Sequence, residues 1–424
     1  MMSYKSEKSI YNRTMKDKRY YVVITPFFPT QEKFYGVYIY DQVKALQRCD
    51  KNVLVLRPYD VCRSSKMHGY ELDDIRVEYF PTISTPSYIL NGLTDCIAAP
   101  LFRMGVSNIL GKDVVVEAIH CHTLDCAIFG IELKKIHSNA KLIIQHHDLD
   151  PYTLLNGRYA EKKWNINYKA WKAVGKFSKF DVHVSVSNRV EDNLCTFPLL
   201  SVREHYSKYK EILKKVSLRN RRADIKKSLV LYNGVDMSKF YQLPKQASGT
   251  TSYNIGCIGN YVEIKNHKML IDAVLLLVEK GYDNVKLHLV GENPKEAFEN
   301  LKNYVEKKNL KQYVEFVPSF SHSELIKFYN GLNLFVLPSE FEGLGCVYLE
   351  SYACGTPFIG VKDQGIDDLI PACDKGKWLI DQMSAENLSD KIEDVMVNEY
   401  QQRLSVDIDI NRLISDFLRE IELL

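Results

Sequence analysis

The chain lacks any uninterrupted apolar run of the roughly 18–20 residues that a membrane-spanning helix needs. The nearest stretch, Tyr88 to Leu110, is broken by Asn91, Asp95 and Arg103, and as a helix it suits a membrane surface rather than a bilayer core. The chain also lacks a strong excess of charge. Its 56 basic and 53 acidic residues leave a formal net charge of +3, which argues neither for nor against nucleic acid, and no nucleic-acid motif is present. No repeat of fixed period appears. Metal-ligand spacing is scarce: H-C-H at His120 to His122, with Cys126 nearby, has no second cluster to complete it and reads as the end of a buried strand. Asp-x-Asp in a setting suited to a metal–diphosphate is missing, since D-I-D at Asp407 to Asp409 opens a closing helix instead. A secretory signal is not expected, because Lys5, Lys8, Arg13 and Lys16 interrupt any apolar segment there. The ten cysteines are scattered, several of them in apolar runs (Cys121, Cys126, Cys257, Cys354), which fits a reduced cytoplasmic setting.

What is present is an ordinary globular composition, 46% hydrophobic and 26% charged, spread over 424 residues. That is too long for one core, so two domains are expected. Strand-like runs alternate with helical patterns. Tyr20–Thr25, Val53–Leu56, Val77–Phe80, Val114–Ile119, Leu142–Gln145 and Val182–Val186 read as strands. Helical patterns cover Val37–Arg48 and Leu124–Ile136. A second series begins at Ile255–Ile258 and continues through a helix at Met269–Val278 and strands at Val285–Val290 and Val314–Val317. Alternation of this kind predicts α/β architecture, parallel sheets with helices on both faces. Residues 1–18 read as a polar tail, 19–240 as a first domain and 241–406 as a second. The 241–253 stretch is the linker candidate. Residues 407–424 form an amphipathic closing helix, with Ile410, Leu413, Ile414, Phe417, Leu418 and Ile421 at helical spacing. Basic residues are dense between Lys162 and Lys227. They suit a solvated helical surface and a face for anionic lipid equally well.

The most informative stretch is Pro338 to Asp368. The apolar run Leu334–Leu337 has the character of a buried strand of a parallel sheet. Pro338 ends it, a turn with Glu342, Gly343 and Gly345 follows, and a helix is expected from about Cys346 until Gly355 and Pro357 stop it. Gly343 and Gly345 would let the backbone approach a ligand without a Cβ in the way. The N–H groups that open the helix lack intrahelical partners and, with the helix dipole, form a site for phosphate. Glu342 in the turn and Glu350 in the helix would repel a lone phosphate. They make sense as acceptors for hydroxyl groups attached to one, and a sugar nucleotide has both parts.

These residues carry a resemblance. Glu342 and Glu350, within E-G-L-G-C-V-Y-L-E-S-Y-A-C-G-T-P, resemble the E-x7-E segment of family 4 retaining glycosyltransferases of GT-B fold. The likeness extends over roughly residues 20 to 420. F-F-P-T-x5-G-V-Y resembles that family's first loop, with the single glycine Gly36 where a pair is frequent. A-I-H-C-H and I-I-Q-H-H-D resemble its two histidine-bearing strand ends, His147 matching the sugar-site histidine. V-S-V-S and N-G-V-D-M-S-K-F match further segments. G-N-Y-V-E-I-K-N-H matches a loop that usually carries an arginine and a lysine for the diphosphate. Lys265 is in place, while Asn260 stands where the arginine would be.

The resemblance implies two Rossmann-like parallel-sheet domains facing a cleft, with the closing helix packed back toward the N-terminal domain. It implies a nucleoside-diphosphate sugar as donor and a glycan or lipid-linked hydroxyl as acceptor. Glu342, His147 and Lys265 are the implied catalytic residues. Gly36, Asn260, Lys265, Pro318, Glu342, Gly343, Leu344, Gly345, Cys346 and Glu350 form the implied donor site, Glu342 for the sugar hydroxyls, Glu350 for the ribose and Pro318 beside the base. With a lysine and carboxylates at hand, charge balance asks for no metal and no cofactor. A cytoplasmic enzyme, at the inner face of a membrane and in contact with it through the N-terminal domain, is the expected setting. Two other classes stay open at this stage. One is a GT-B epimerase or hydrolase that uses the same nucleotide site without an acceptor. The other is a weakly catalytic sugar-nucleotide binding protein, which Asn260 alone favours.

Overall fold

Parallel strands joined by helical crossovers build two sheets, seen here in a computed structural model that describes residues 19–33, 35–83, 93–111, 114–147, 175–196, 225–244, 252–291, 294–318 and 322–424. The polar tail 1–18, Asp148, most of the basic stretch after Lys162, the middle of the linker candidate and Ser319–Ser321 lie outside the described residues. The first sheet contains β1 (Arg19–Ile24), β2 (Val53–Asp60), β3 (Tyr70–Leu72), β4 (Ile75–Thr82), β5 (Val115–His122), β6 (Lys141–His146), β7 (Val182–Ser185) and β8 (Ser228–Val230). The second contains β9 (Tyr253–Ile258), β10 (Val285–Val290), β11 (Val314–Val317), β12 (Leu334–Val336), β13 (Phe358–Val361) and β14 (Leu379–Ile380). The helices used below are α1 (Val37–Arg48), α2 (Leu93–Ile109), α3 (Ala127–Ile136), α4 (Asn188–Thr196), α5 (His267–Glu279), α6 (Lys295–Lys307), α7 (His322–Asn330) and α8 (Cys346–Ala353). After them come α9 (Lys375–Trp378), α10 (Ala385–Asn398) and α11 (Ile410–Glu420).

The strand orders are β3-β4-β2-β1-β5-β6-β7-β8 and β11-β10-β9-β12-β13-β14. Every pairing is parallel except the edge hairpin β3–β4. Apart from that hairpin, both sheets run outward in two directions from their first strand, the doubly wound order. The direction in which strands are added therefore reverses between β1 and β5, and again between β9 and β12. Open α/β sheets bind ligands outside the carboxyl ends of the strands at such switch points. The loops that follow β1, β5, β9 and β12 hold Gly36, Thr123, Lys265 and Glu342.

Burial explains why these segments became strands. Val22, Val23, Leu54, Val55, Ile143, Ile144, Leu287, Leu289 and Phe335 are all buried, as expected of a sheet covered on both faces. Within the Tyr88–Leu110 stretch, Leu93–Ile109 form α2, whose buried face of Ala98, Phe102 and Val106 packs in the N-terminal core. Phe102 meets Phe80 edge-on at 4.7 Å between ring centroids. By its inner face α2 is a core helix. Its outer face shows Ile97 and Met104. Among the described residues, no helix is long and apolar enough to cross a membrane.

The chain crosses between domains twice, and the two crossings touch. Val235 N–H donates to the Ile408 carbonyl (2.8 Å) and Ile410 N–H donates to the Val235 carbonyl (3.1 Å). At Gly234 a Cβ would stand 2.6 Å from the Ile410 Cα, so only glycine fits. Asp409 caps α11 by accepting from Asn411 N–H (2.9 Å), and Asp407 pairs with Arg412. Thus D-I-D opens a helix. α11 then lies on the N-terminal sheet, where Ile410, Ile414, Phe417 and Leu418 share a core with Tyr21, Val23 and α1. Phe417→Ala is expected to cost about 3 kcal/mol or more in urea unfolding. The accompanying loss of hydrogen-exchange protection should fall on β1 and α1. Loss confined to β9–β14 would show that the last helix stabilises the other domain.

Candidate functional site

The seam between the domains is built on one turn, residues 338–345, between β12 and α8. Gln364, buried, reaches back to it: its side-chain oxygen accepts from Glu342 N–H (2.9 Å) and its amide donates to the Glu340 carbonyl (2.7 Å). Gly365 N–H donates to the Glu342 carbonyl (3.1 Å). A Cβ on Gly365 would run into the Gly343 carbonyl, and a Cβ on Gly343 would run into the carbonyl of His147 from the other domain. The glycine at 343 is therefore explained by a protein backbone pressed against it. Gly345 precedes α8 with φ −73, an extended conformation open to any residue, and what it spares is a tight contact with Tyr348. The helix ends as its sequence predicts. Gly355 has φ 80, and Thr356 N–H returns to the Ser351 carbonyl (3.0 Å).

Other contacts hold the N-terminal domain against this turn. Asn233 of N-G-V-D donates to the Leu344 carbonyl (2.9 Å), and Asn188 N–H donates to the Asp368 carboxylate (2.6 Å). From the far side comes the start of α1. Gly36 has φ 79, and a Cβ there would stand 2.7 Å from the Phe27 carbonyl oxygen, so the left-handed turn into α1 needs glycine. Tyr38 follows it. Burial pushes its phenol up to about 12, and the nearby Cys346 thiol adds to the shift. The ring centroid of Tyr38 is 4.9 Å from that of His147. The first turns of α1 and α8 thus meet across the seam.

Lys265 and Glu342, 77 positions apart, form a close ion pair. Ser339 Oγ donates to the same carboxylate at 3.4 Å. Lys268, the other cation of this loop, is turned away over the Tyr304 ring (5.5 Å). Asn260 and Pro318 are exposed, just beyond β9 and β11. Glu350 is half-buried and accepts from Tyr329 OH (2.7 Å). Burial pushes its carboxyl up to about 7, against the pull of that hydrogen bond, and the Asp41 carboxylate of α1 raises it further. Asp41 itself pairs with Lys239 at 2.8 Å. Cys346 is held well above the usual thiol range by burial and by Glu350, Asp41 and Glu342. The seam is therefore rich in carboxylates.

His147 and its neighbours form a column. His122 Nδ1 and His147 Nε2 are 3.0 Å apart, and their rings are nearly parallel. His120 stacks on His122 at 4.5 Å and shares a hydrogen bond with Tyr21 OH (2.9 Å). Burial, with the neighbouring imidazoles, keeps His120 (down to about 3) and His122 neutral. Among the described residues, no group of three or more His, Cys, Asp or Glu is arranged to hold a metal ion. Sequence reasoning thus finds His147, Lys265, Glu342, Gly343, Leu344, Cys346 and Glu350 in one seam. It misses Tyr38, Asp41, Asn233, Gln364 and the pairing of His122 with His147. H-C-H alternation is the one sequence signal that pointed there, since both histidines of a strand end share a face.

Residues 240–408 match the family described as Glycosyl transferases group 1. The capsular polysaccharide biosynthesis glycosyltransferase CapM of Staphylococcus aureus is 30% identical over 148 residues, 35% of this chain and 38% of that protein. An uncharacterized glycosyltransferase of Methanocaldococcus jannaschii is 28% identical over 174 residues, 41% of this chain and 45% of that protein. The chain thus spans less than half the length of these curated relatives. Over nearly its full length it shares its fold with solved structures. Sucrose-phosphate synthase from Thermosynechococcus elongatus superposes with TM-score 0.66 at 16% identity, covering 96% of this chain and 97% of that one. Anabaena HepE, solved in complex with UDP and glucose, gives 0.64 at 17% identity, covering 96% and 100%. The chain has the GT-B fold, and its residues 240–408 are similar to the group 1 glycosyl transferases.

The raised carboxyl of Glu350 makes a stability prediction. Its folded-state value lies above the ordinary 4.5 of a carboxyl, so folding favours the protonated form. That contribution is complete below about pH 4.5 and is lost as pH rises through about 7. Glu350→Gln should therefore match wild type in thermal melts near pH 4.5 and exceed it at pH 8. A variant less stable than wild type at pH 8 would mean the carboxylate is favourably held.

Proposed function

We propose that this chain is a retaining glycosyltransferase. It moves a sugar from a nucleoside-diphosphate sugar to a hydroxyl of a glycan or lipid-linked acceptor, in the synthesis of a surface polysaccharide or glycolipid. The observation that carries the reading is the Lys265–Glu342 ion pair in the seam, at the carboxyl ends of β9 and β12 and beside the start of α8. It sets one cation and one carboxylate where two helices begin. A diphosphate needs the cation and the helix N–H groups, and a sugar needs the carboxylate. Support for the substrate class comes from the UDP-bound neighbour, and support for the pathway from the capsular polysaccharide relative.

The chemistry follows from charge. Cleavage of the anomeric C–O bond leaves its electron pair on the diphosphate and positive charge on the sugar ring. Lys265 and the N–H groups opening α8 stabilise the departing anion. Glu342 accepts from donor-sugar hydroxyls, and Glu350 from the ribose. His147 meets the sugar from the N-terminal domain, with Gly36, Leu344, Gly345 and Cys346 lining the donor and Pro318 beside the base. In retention the acceptor oxygen attacks the face the diphosphate leaves. The departing phosphate oxygen is then the base nearest to the acceptor proton. The carboxylate-rich seam supplies hydroxyl acceptors and Lys265 supplies the counter-charge, so the proposal includes no metal and no cofactor. It places the enzyme in the cytoplasm at the inner face of the membrane.

Because Lys265 is paired with Glu342, an incoming diphosphate must share or displace that carboxylate. Glu342→Gln should lose turnover by about ten- to a hundredfold, the worth of a charge-assisted hydrogen bond. It should also bind the free nucleoside diphosphate more tightly than wild type, because Lys265 is released. Lys265→Ala should weaken that binding by about ten- to a hundredfold. Asn260→Arg should strengthen it, since arginine can grip two phosphate oxygens at once. Calorimetry with UDP, GDP and ADP reads all three. A thermal-shift screen of the corresponding sugars identifies the donor, since binding stabilises by RT ln(1 + [L]/Kd). Wild-type affinity in Lys265→Ala would remove the lysine from the diphosphate site. Turnover should also survive EDTA, and loss restored by Mg2+ or Mn2+ would overturn the charge argument.

A further inference from the structure

A single 3-10 turn, Gly365–Leu369, follows β13, and its start and its end hold different domains. Ile366 and Leu369 are fully buried in the core of the second domain and fix its place. At its start, Gln364 and Gly365 carry the hydrogen bonds that hold Glu340 and Glu342. Near its end, the Asp368 carboxylate accepts from Asn188 N–H (2.6 Å), and Asn188 is the first residue of α4 in the N-terminal domain. The local segment caps α4 only in part. Ser187 accepts from Val190 N–H through its hydroxyl (3.3 Å) and from Glu191 N–H through its carbonyl (3.0 Å). The N–H of Asn188 is one of those at a helix start that have no intrahelical partner, and a carboxylate of the other domain takes it. Negative charge is also what a helix dipole favours at that end.

We infer that Asp368 is a positioning residue, a latch that holds α4 and so keeps His147 in register with Glu342. Just before α4, Val186 N–H donates to the carbonyl of His146, the neighbour of His147 (3.2 Å). Val186 and Val190 belong to the same buried cluster as Leu344 and Ile366 of the second domain. A short path therefore runs from Glu342 through Gln364 and Asp368 to Asn188, Val186 and His147. On that path the domains are joined by the bond between Asn188 N–H and Asp368. At Gly343 the backbones meet by close packing, which limits how near they come, and the bond at Asp368 resists their parting.

The latch rests on the proposed function only in the step from register to transfer, so two readouts separate them. The first needs no substrate. Amide hydrogen exchange of the full chain, read by mass spectrometry, should be about tenfold or more faster in Asp368→Ala, the scale of a lost charge-assisted hydrogen bond. The increase should cover both the start of α4 and residues 338–345, while β9 and β10 stay protected. Asp368→Asn keeps an oxygen acceptor and should recover most of the protection. Asn188→Pro removes the donor instead. Proline suits the first position of a helix, so α4 should stay protected while residues 338–345 exchange faster. Adding Asp368→Ala to Asn188→Pro should then change residues 338–345 little further. Faster exchange confined to α4 in Asp368→Ala would make the carboxylate a helix cap alone and overturn the latch. Unaltered exchange of residues 338–345 in Asn188→Pro overturns it too, and decides the matter even if Asp368→Ala does not fold. The second readout is transfer. Asp368→Ala and Asn188→Pro should each lower kcat about tenfold or more with donor KM changed less, and Asp368→Asn should recover most of it. Faster exchange at residues 338–345 with transfer unaltered upholds the latch and overturns the joint role of His147 and Glu342 in transfer.

Discussion

The site depends on a backbone-to-backbone approach at Gly343. On one side is the carbonyl of His147 from the N-terminal sheet, and on the other is Gly365 from the loop after β13. No side chain fits at either contact. Two sheets that fold as separate cores can form one seam only because a short stretch of bare main chain lets them come this close. The polar cross-links at Asn233–Leu344 and Asn188–Asp368 then fix how the surfaces register. Removing the approach would part His147 from the Lys265–Glu342 pair on the other domain.

Once the domains meet, electrostatics sets the character of the seam. Asp41, Glu342 and Glu350 crowd Cys346. Against them stand Lys265, engaged by Glu342, and Lys239, engaged by Asp41. Such a surface is a poor home for a bare phosphate. It suits a ligand that brings hydroxyl groups together with its negative charge. Burial of Glu350 and the neutrality of His120 and His122 show the other half of the design. Those two imidazoles are kept uncharged by their surroundings, so they work through hydrogen bonds rather than ion pairs.

Local features were legible in the sequence and distant pairings were not. Val37–Arg48, Val285–Val290 and Val314–Val317 are elements whose bounds agree with the pattern of apolar residues, because periodicity is a local property. The strand–turn–helix unit around Glu342 was readable for the same reason: proline, glycine and a helix stop occur in order within it. The short antiparallel edge Tyr70–Leu72 was not, since three residues carry too little alternation. Lys265 and Glu342 could each be named as site residues, yet nothing local says that they neutralise one another. The other strand-end histidine, His122, was visible in H-C-H as the end of a buried strand, without its partner. Its meaning appears only when β6 brings His147 alongside. Gln364 shows the same limit, a buried side chain whose partners lie more than twenty positions back.

The paired crossings at Val235 and Ile408–Ile410 have a mechanical consequence. Two connections that lie far apart would let the domains separate like jaws on two independent cords. Here they are stitched side by side, by hydrogen bonds in both directions. The last helix, though it follows the second domain in the chain, is bolted to the first. The two bodies therefore share a single axle, and the easy relative motion is rotation about it. Asn233, two residues before Val235, also grips the Leu344 carbonyl at the start of α8, and Lys239, four residues after it, holds Asp41 of α1. The turn that carries Glu342 therefore sits beside the axle, and a rotation that swings the outer strands far leaves that turn almost where it was.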